Sequence, residues 1–88
     1  MLTEDDLRST YGLTPSEIRL TLRLAAGDAL RQAANEIGIS YQTARTRLKF
    51  IFQKTGVRRQ AELVLLVARG GSTRRPRRAR LERNDRKL

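Results

Sequence analysis

The feature that most constrains this 88-residue chain is a break in a helical pattern at Gly38-Ile39-Ser40, inside the stretch EIGISYQTARTRLK. Before the break, apolar residues recur at the i, i+3, i+4 and i+7 positions of one helical face: Leu30, Ala33, Ala34 and Ile37. Gly38 can end that helix in the left-handed conformation, and Ser40 can cap a new helix over residues 41–55. The sequence therefore predicts a helix-turn-helix.

Two further helices are predicted on either side of this unit. Thr14-Pro15-Ser16-Glu17 is a helix start, with Thr as N-cap, Pro at the first helical position and Glu where it can close a capping box. That helix should end at about Ala26, and Asp28 can cap the next one. After Gly56, the pattern QAELVLLVAR predicts a last helix. We expect an all-α fold, a compact four-helix bundle.

The helix predicted over residues 41–55 has two different faces. One carries the residues expected to be buried: Tyr41, Ala44, Leu48, Ile51 and Phe52. The opposite face suits the edges of bases in the major groove of DNA, and the candidates for base contacts are Gln42, Arg45, Thr46 and Lys49. Residues on the flank and just beyond the helix are better placed for phosphates: Thr43, Arg47, Lys54, Arg58 and Arg59.

The last predicted helix is apolar nearly all round, which is more than one face of a small bundle can cover. We therefore expect a second surface to cover part of it. The residues predicted for this dimer or partner interface are Leu63, Val64, Leu65 and Val67.

The net charge of +10 is unevenly distributed. Residues 1–17 hold one arginine against four acidic residues, residues 18–69 hold ten basic against three acidic, and residues 70–88 hold eight basic against two acidic. We interpret residues 1–10 as a flexible acidic arm, frayed or weakly helical, 11–69 as the folded domain and 70–88 as a basic disordered tail with little to bury. Such a charge makes a polyanion the first partner to consider.

Composition excludes several classes of protein. The chain has no cysteine and no histidine, so we expect no disulfide, no metal site, no cofactor and no imidazole-based catalysis. Its few carboxylates lie mostly at helix starts, so an enzyme is not expected. No apolar run approaches the roughly 20 residues of a bilayer span, and the acidic start MLTEDD is unlike a secretory signal. The expected location is the cytoplasm, in association with the nucleoid.

Residues 11–69 resemble the DNA-binding domain of the LuxR/FixJ family of bacterial transcription regulators. The motifs that carry the resemblance occur in order along the chain: Leu13-Thr14-Pro15 with Glu17, Gly27, Gly38-Ile39-Ser40, Thr43, Leu48, Ile51-Phe52, Lys54, Gly56-Val57 and Glu62-Leu63. The resemblance implies a domain that places its third helix in the major groove and commonly pairs through its fourth. By motif position it assigns base contacts to Arg45, Thr46 and Lys49, and backbone contacts to Thr43, Arg47 and Lys54. No receiver or ligand-sensing domain precedes the helices, so a stand-alone regulator is expected.

Three departures from the family pattern bear on function. Gln32 and Ala33 stand where an acidic residue and an isoleucine are usual, which removes a charge partner and shrinks a core contact. Phe50 replaces a residue that is normally polar or basic, and Ile18 and Leu22 are apolar where polar residues are common. Together these changes could enlarge an interaction surface.

The sequence leaves three functions open. The first is a transcription regulator that binds double-stranded DNA as a homodimer on an inverted or direct repeat. The second is a protein-interaction adaptor that docks on RNA polymerase, a sigma factor or another regulator through the last helix together with Ile18, Leu22 and Phe50. The third is a relation to the promoter-recognising end of sigma factors, against which the segment GVRRQAELV argues.

Overall fold

The structure, a computed structural model, describes residues 1–70, and these form five α-helices without a strand. The helices are α1 (Glu4–Tyr11), α2 (Pro15–Ala25), α3 (Leu30–Ile37), α4 (Tyr41–Thr55) and α5 (Gln60–Ala68). The all-α prediction is confirmed for this part of the chain, with one helix more than the four expected. The tail predicted over residues 70–88 lies outside the described residues from residue 71 onward.

Helix α1 corrects the prediction of a flexible acidic arm over residues 1–10. The hydroxyl of Thr3 accepts a hydrogen bond from the amide of Asp6 at 3.1 Å, and the Asp6 carboxylate accepts one from the amide of Thr3 at 2.9 Å. Leu2 and Leu7 are buried in the core. The acidic residues of the first turn favour the helix because they lie at the positive end of its dipole. The predicted domain boundary at residues 10 and 11 therefore falls inside a helix.

Helix α2 is the centre of the fold, since it contacts each of the other four helices. It begins as predicted: the Thr14 hydroxyl accepts from the amide of Glu17 at 3.2 Å, and Glu17 Oε1 accepts from the amide of Thr14 at 2.8 Å. Its inward face carries Leu20, Leu24 and Thr21, all buried. Within residues 1–70, Thr21 is the one buried side chain whose polar atom has no hydrogen-bond partner.

Helix α3 begins differently from the prediction. Its N-cap is Ala29, which makes no side-chain capping bond, so the expectation that Asp28 caps this helix was wrong. The Asp28 carboxylate instead accepts a hydrogen bond from Arg23 Nε at 2.7 Å. Arg23 Nη2 also lies 3.9 Å from Glu36 Oε1. These contacts join the end of α2 to both ends of α3.

One apolar core runs through all five helices. Its fully or nearly fully buried members include Leu7 from α1, Leu20 from α2, Ala34 from α3, Ile51 from α4 and Leu63 from α5. Small residues at the contact of α3 with α4 let the two helices approach closely. Among residues 1–70, no helix combines the length and the apolar character needed to cross a bilayer.

Candidate nucleic-acid interface

Local sequence determines where α4 begins and ends. Gly38 has φ of 79°, in the left-handed region predicted for it, and its amide donates to carbonyls in the last turn of α3. Ser40 caps α4, because its hydroxyl accepts from the amide of Thr43 at 3.0 Å. At the other end, Gly56 also has positive φ and its amide donates to the carbonyl of Phe52 at 2.8 Å. The predicted bounds of this helix are confirmed.

The two faces of α4 differ in burial. Ala44, Leu48 and Ile51 are buried against α2 and α3, as predicted, and Phe52 is half-buried. Tyr41 was expected in this buried stripe but is 37% exposed. All four candidates for base contacts are exposed on the outer side of the helix: Gln42, Arg45, Thr46 and Lys49.

The outer face of α4 is positively charged. The helix carries four basic residues, Arg45, Arg47, Lys49 and Lys54, and no acidic one. Among residues 1–70, neither Arg45 nor Lys49 forms an ion pair. Their charges are therefore available to a partner, and an arginine can donate two hydrogen bonds to a guanine edge or to a phosphate.

The candidates for phosphate contacts have different surroundings. Arg58 and Arg59 are exposed on the segment between α4 and α5, and Arg47 is half-buried. The Thr43 hydroxyl accepts a hydrogen bond from the Ser40 hydroxyl at 2.9 Å, so it is already engaged at the helix start.

Lys54 has internal partners that the sequence analysis did not foresee. Its Nζ donates to Glu17 Oε1 at 2.8 Å and to the carbonyl of Gly12 at 3.3 Å. The Lys54 side chain is 35% exposed and that of Glu17 only 7% exposed. The cation joins α4 to the start of α2, so its availability to a phosphate is smaller than that of Arg58 or Arg59.

Glu17 keeps its charge although it is buried. Burial disfavours the carboxylate and would raise its pKa, but the hydrogen bonds from Lys54 Nζ and the Thr14 amide, together with the Lys54 charge, outweigh this. The net result is a pKa below the usual value of 4.5. Glu17 and Lys54 therefore form a charged pair at neutral pH.

Arg31 is a residue near this interface that the sequence analysis missed. Its guanidinium lies 4.1 Å from the centroid of the Tyr41 ring, across the turn between α3 and α4. A cation over an aromatic face is attracted by the ring quadrupole. The contact joins the first turn of α4 to α3. Two residues ten positions apart on different helices leave no periodic signal, so the pattern could not reveal this pair.

The interface predicted on the last helix is smaller than expected. Leu63 and Val67 are fully buried, so their assignment to a dimer or partner surface was wrong. They pack in the core that also includes Leu2 and Leu7, the residues of the unforeseen N-terminal helix region. Val64 is half-buried and Leu65 is 50% exposed.

What remains on this side is a groove of about 230 Å³ with Leu65 at its edge. Its lining residues come from the end of α4 and from α5: Gly56, Val57, Glu62, Leu65, Leu66 and Arg69. The adaptor hypothesis included Ile18 in its docking surface. Ile18 is only 3% exposed, so it cannot belong to such a surface. Leu22 is half-buried and Phe50 is 50% exposed.

Residues 1–70 contain no cluster of acidic side chains arranged to hold a metal ion. Comparison of the chain with protein-family models, with curated proteins and with solved structures found no match.

Proposed function

We propose that the chain binds double-stranded DNA in a sequence-specific manner, with α4 in the major groove, and regulates transcription. The observation that carries the proposal is the outer face of α4, where Arg45, Thr46 and Lys49 are exposed and the two cations have no ion-pair partner within residues 1–70. A helix of this kind, anchored on its other side, fits the width of the major groove.

The proposed mechanism has two parts. Arg58, Arg59 and Arg47 bind phosphates and set the position of the domain on the duplex without reading sequence. Gln42, Arg45, Thr46 and Lys49 then contact base edges, where an arginine or lysine suits guanine and a glutamine suits adenine. The resemblance to LuxR-type domains points to the same helix. This function would place the chain with the bacterial nucleoid in the cytoplasm.

A homodimer is part of the proposal. Two copies related by a two-fold axis would present two α4 helices to the two halves of a repeated site. Leu65 and the adjoining groove of α5 are exposed and apolar enough to contribute to such a contact, and Val64 is half-buried. Leu63 and Val67 would support this contact only from the core.

Binding to defined and random duplexes, measured by fluorescence anisotropy, tests the proposal. We expect Arg45→Ala to cost about 1–3 kcal/mol on the preferred site and to relax the preference at one base pair. Arg58→Ala is the matched control, since loss of a phosphate contact should weaken all duplexes alike and reduce the dependence on salt. Equal losses for Arg45→Ala on both duplexes would count against its role in reading bases.

The groove beside Leu65 supports a second candidate, an adaptor that docks on RNA polymerase, a sigma factor or another regulator. Its exposed apolar edge is the kind of surface that protein partners bind. Leu65→Asp beside Arg45→Ala separates the two functions. If Arg45→Ala leaves the affinity for DNA unchanged while Leu65→Asp abolishes binding to purified polymerase, the adaptor function is correct.

A further inference from the structure

Phe50 is an aromatic residue on the cationic side of α4, and the features described so far do not explain it. Its side chain is 50% exposed. It lines a groove of about 330 Å³ together with polar residues of α4 and one residue of α2: Gln42, Thr43, Thr46, Arg47 and Glu17. Single exposed apolar side chains are common on proteins, so the position of Phe50 is more informative than its exposure.

That position lies between the two kinds of proposed DNA contact. Phe50 comes four residues after Thr46, a candidate for a base contact, and three after Arg47, a candidate for a phosphate contact, so the three side chains are neighbours on the helix surface. It is also the neighbour in sequence of Lys49, the last candidate for a base contact. A helix with these side chains in the major groove would place the Phe50 ring beside the base contacts, within reach of the edge of an adjacent base pair.

The chemistry of the ring limits what it can contact there. Phenylalanine has no hydrogen-bonding group, so it can neither hold a phosphate nor read the donors and acceptors of a base edge. The apolar group that a base pair presents in the major groove is the C5 methyl of thymine.

The charges around the groove favour DNA over an apolar protein partner. Glu17 is the acidic residue in its lining, and its carboxylate is occupied by Lys54 and by the amide of Thr14. Arg47 and the cations of the adjoining face are positive. These positive charges would attract a DNA phosphate that lies beside this protein groove while the Phe50 ring contacts a base.

We infer that Phe50 contacts the methyl group of a thymine and makes a T·A pair part of the preferred site. The inference rests on the proposed function, since it assumes that α4 lies in the major groove. It adds a specificity-determining residue to the four candidates for base contacts.

The test begins with selection of preferred duplexes from a random library by the full-length chain. Each thymine of the selected site is then replaced singly by deoxyuridine, which removes only the methyl group. We expect one position in each half-site at which this change weakens wild-type binding roughly fourfold, the loss that corresponds to one buried methyl group. Phe50→Ala should weaken binding to the thymine duplex and should show no further loss with deoxyuridine at that position.

Two variants serve as controls. Ser9→Ala changes an exposed side chain on α1, outside the proposed contacts with DNA and between copies, and should keep the full deoxyuridine effect. Thr46→Ser removes the one methyl group among the four candidates for base contacts, and although it can weaken binding to both duplexes, the deoxyuridine effect should persist in it. Circular dichroism of each variant checks that the helices are intact.

The outcomes are distinct. A deoxyuridine effect that persists in Phe50→Ala, that disappears in Thr46→Ser instead, or that occurs at no position overturns the inference while leaving the proposed function in place. A wild-type chain that prefers no duplex overturns both.

Discussion

Helices α4 and α5 are neighbours in sequence but are held in place by different interactions. Helix α4 has one buried face and one exposed cationic face, and it is held by a serine cap, by glycines at both ends and by Lys54. Helix α5 has no side-chain cap and few polar residues, and its buried residues fix it in the core. Packing stabilises both helices, but α4 also has an outer face of exposed cationic and polar side chains that the core does not use.

The largest effect is expected from the loss of packing in α5. Leu63→Ala should lower the free energy of unfolding by about 2–5 kcal/mol, because it leaves a cavity at a fully buried position. Leu65→Ala, on the exposed side of the same helix, should cost about 1 kcal/mol or less. Urea unfolding followed by circular dichroism measures both. Similar losses would mean that Leu65 is covered in solution, for example by a second copy of the chain.

On the α4 side, Lys54→Met should have the next largest effect. The change leaves the nearly buried Glu17 carboxylate without its cation, which should cost about 1–3 kcal/mol. Lys49→Met makes the same substitution on the same helix at an exposed position and should be nearly neutral. If the two variants unfold alike, the pair does not stabilise the fold.

The same pair predicts a dependence on pH. The folded-state pKa of Glu17 lies below the usual 4.5. The ionised Glu17 carboxylate therefore stabilises the fold at pH values above about 4.5. This contribution is lost as the pH falls below about 4.5 and through the folded-state pKa. The stability difference between wild type and Lys54→Met should therefore narrow in acid, and urea titrations at pH 7 and pH 3 measure it. A constant difference would assign the effect to contacts other than the carboxylate.

A smaller effect is expected at the turn that sets the direction of α4. Gly38→Ala should cost roughly 1–2 kcal/mol, since alanine resists the left-handed conformation. An added Cβ would meet no atom within 4 Å, so the loss comes from the backbone alone. Gly38→Asn should lose less, because asparagine tolerates this conformation. Thermal unfolding measures the loss of stability in each variant. Equal losses for Gly38→Ala and Gly38→Asn would indicate that a side-chain contact, rather than the backbone conformation, causes the loss.

The smallest effect on stability is expected on the outer face of α4. Arg45→Ala should change the free energy of unfolding by no more than about 0.5 kcal/mol, since the residue is exposed and has no ion-pair partner within residues 1–70. A loss comparable to that of Lys54→Met would show that Arg45 supports the fold.

The ends of α2 and α4 could be predicted from the sequence because they depend on local chemistry. Thr14, Glu17, Ser40 and Gly38 act on backbone groups within a few residues, so their spacing is sufficient evidence. Asp28 shows the limit of this reasoning. It stands at a suitable capping position, but the nearby Arg23 forms a stronger charged contact with it.

Helix α1 shows a second limit, which follows from weak local signals. Its region has few apolar residues, and Leu2 and Leu7 become buried only through contacts with distant parts of the chain. A signal was nevertheless present, because Thr3 and Asp6 have the same spacing as the capping box of Thr14 and Glu17. The core that buries Leu63 also includes Leu2 and Leu7, and it leaves less of α5 exposed than the sequence of that helix indicates.

In the candidate site, too, some features could be predicted from the sequence and others could not. Exposure of the base-contact candidates follows from helical periodicity, which a sequence displays. The pairing of Lys54 with Glu17 joins residues 37 positions apart, and the contact of Arg31 with Tyr41 crosses a turn. Such contacts depend on how helices are arranged in space, and no local pattern encodes them.

The amide of Leu2 donates a hydrogen bond to the carbonyl of Val67 at 2.8 Å. The segment before α1 thereby completes the final turn of α5, so the two should open together rather than fray one at a time. In native-state hydrogen exchange, the amides of these two regions would then share one protection factor. A truncation of only the first three residues would loosen the last turn of α5, which lies more than sixty residues away along the chain.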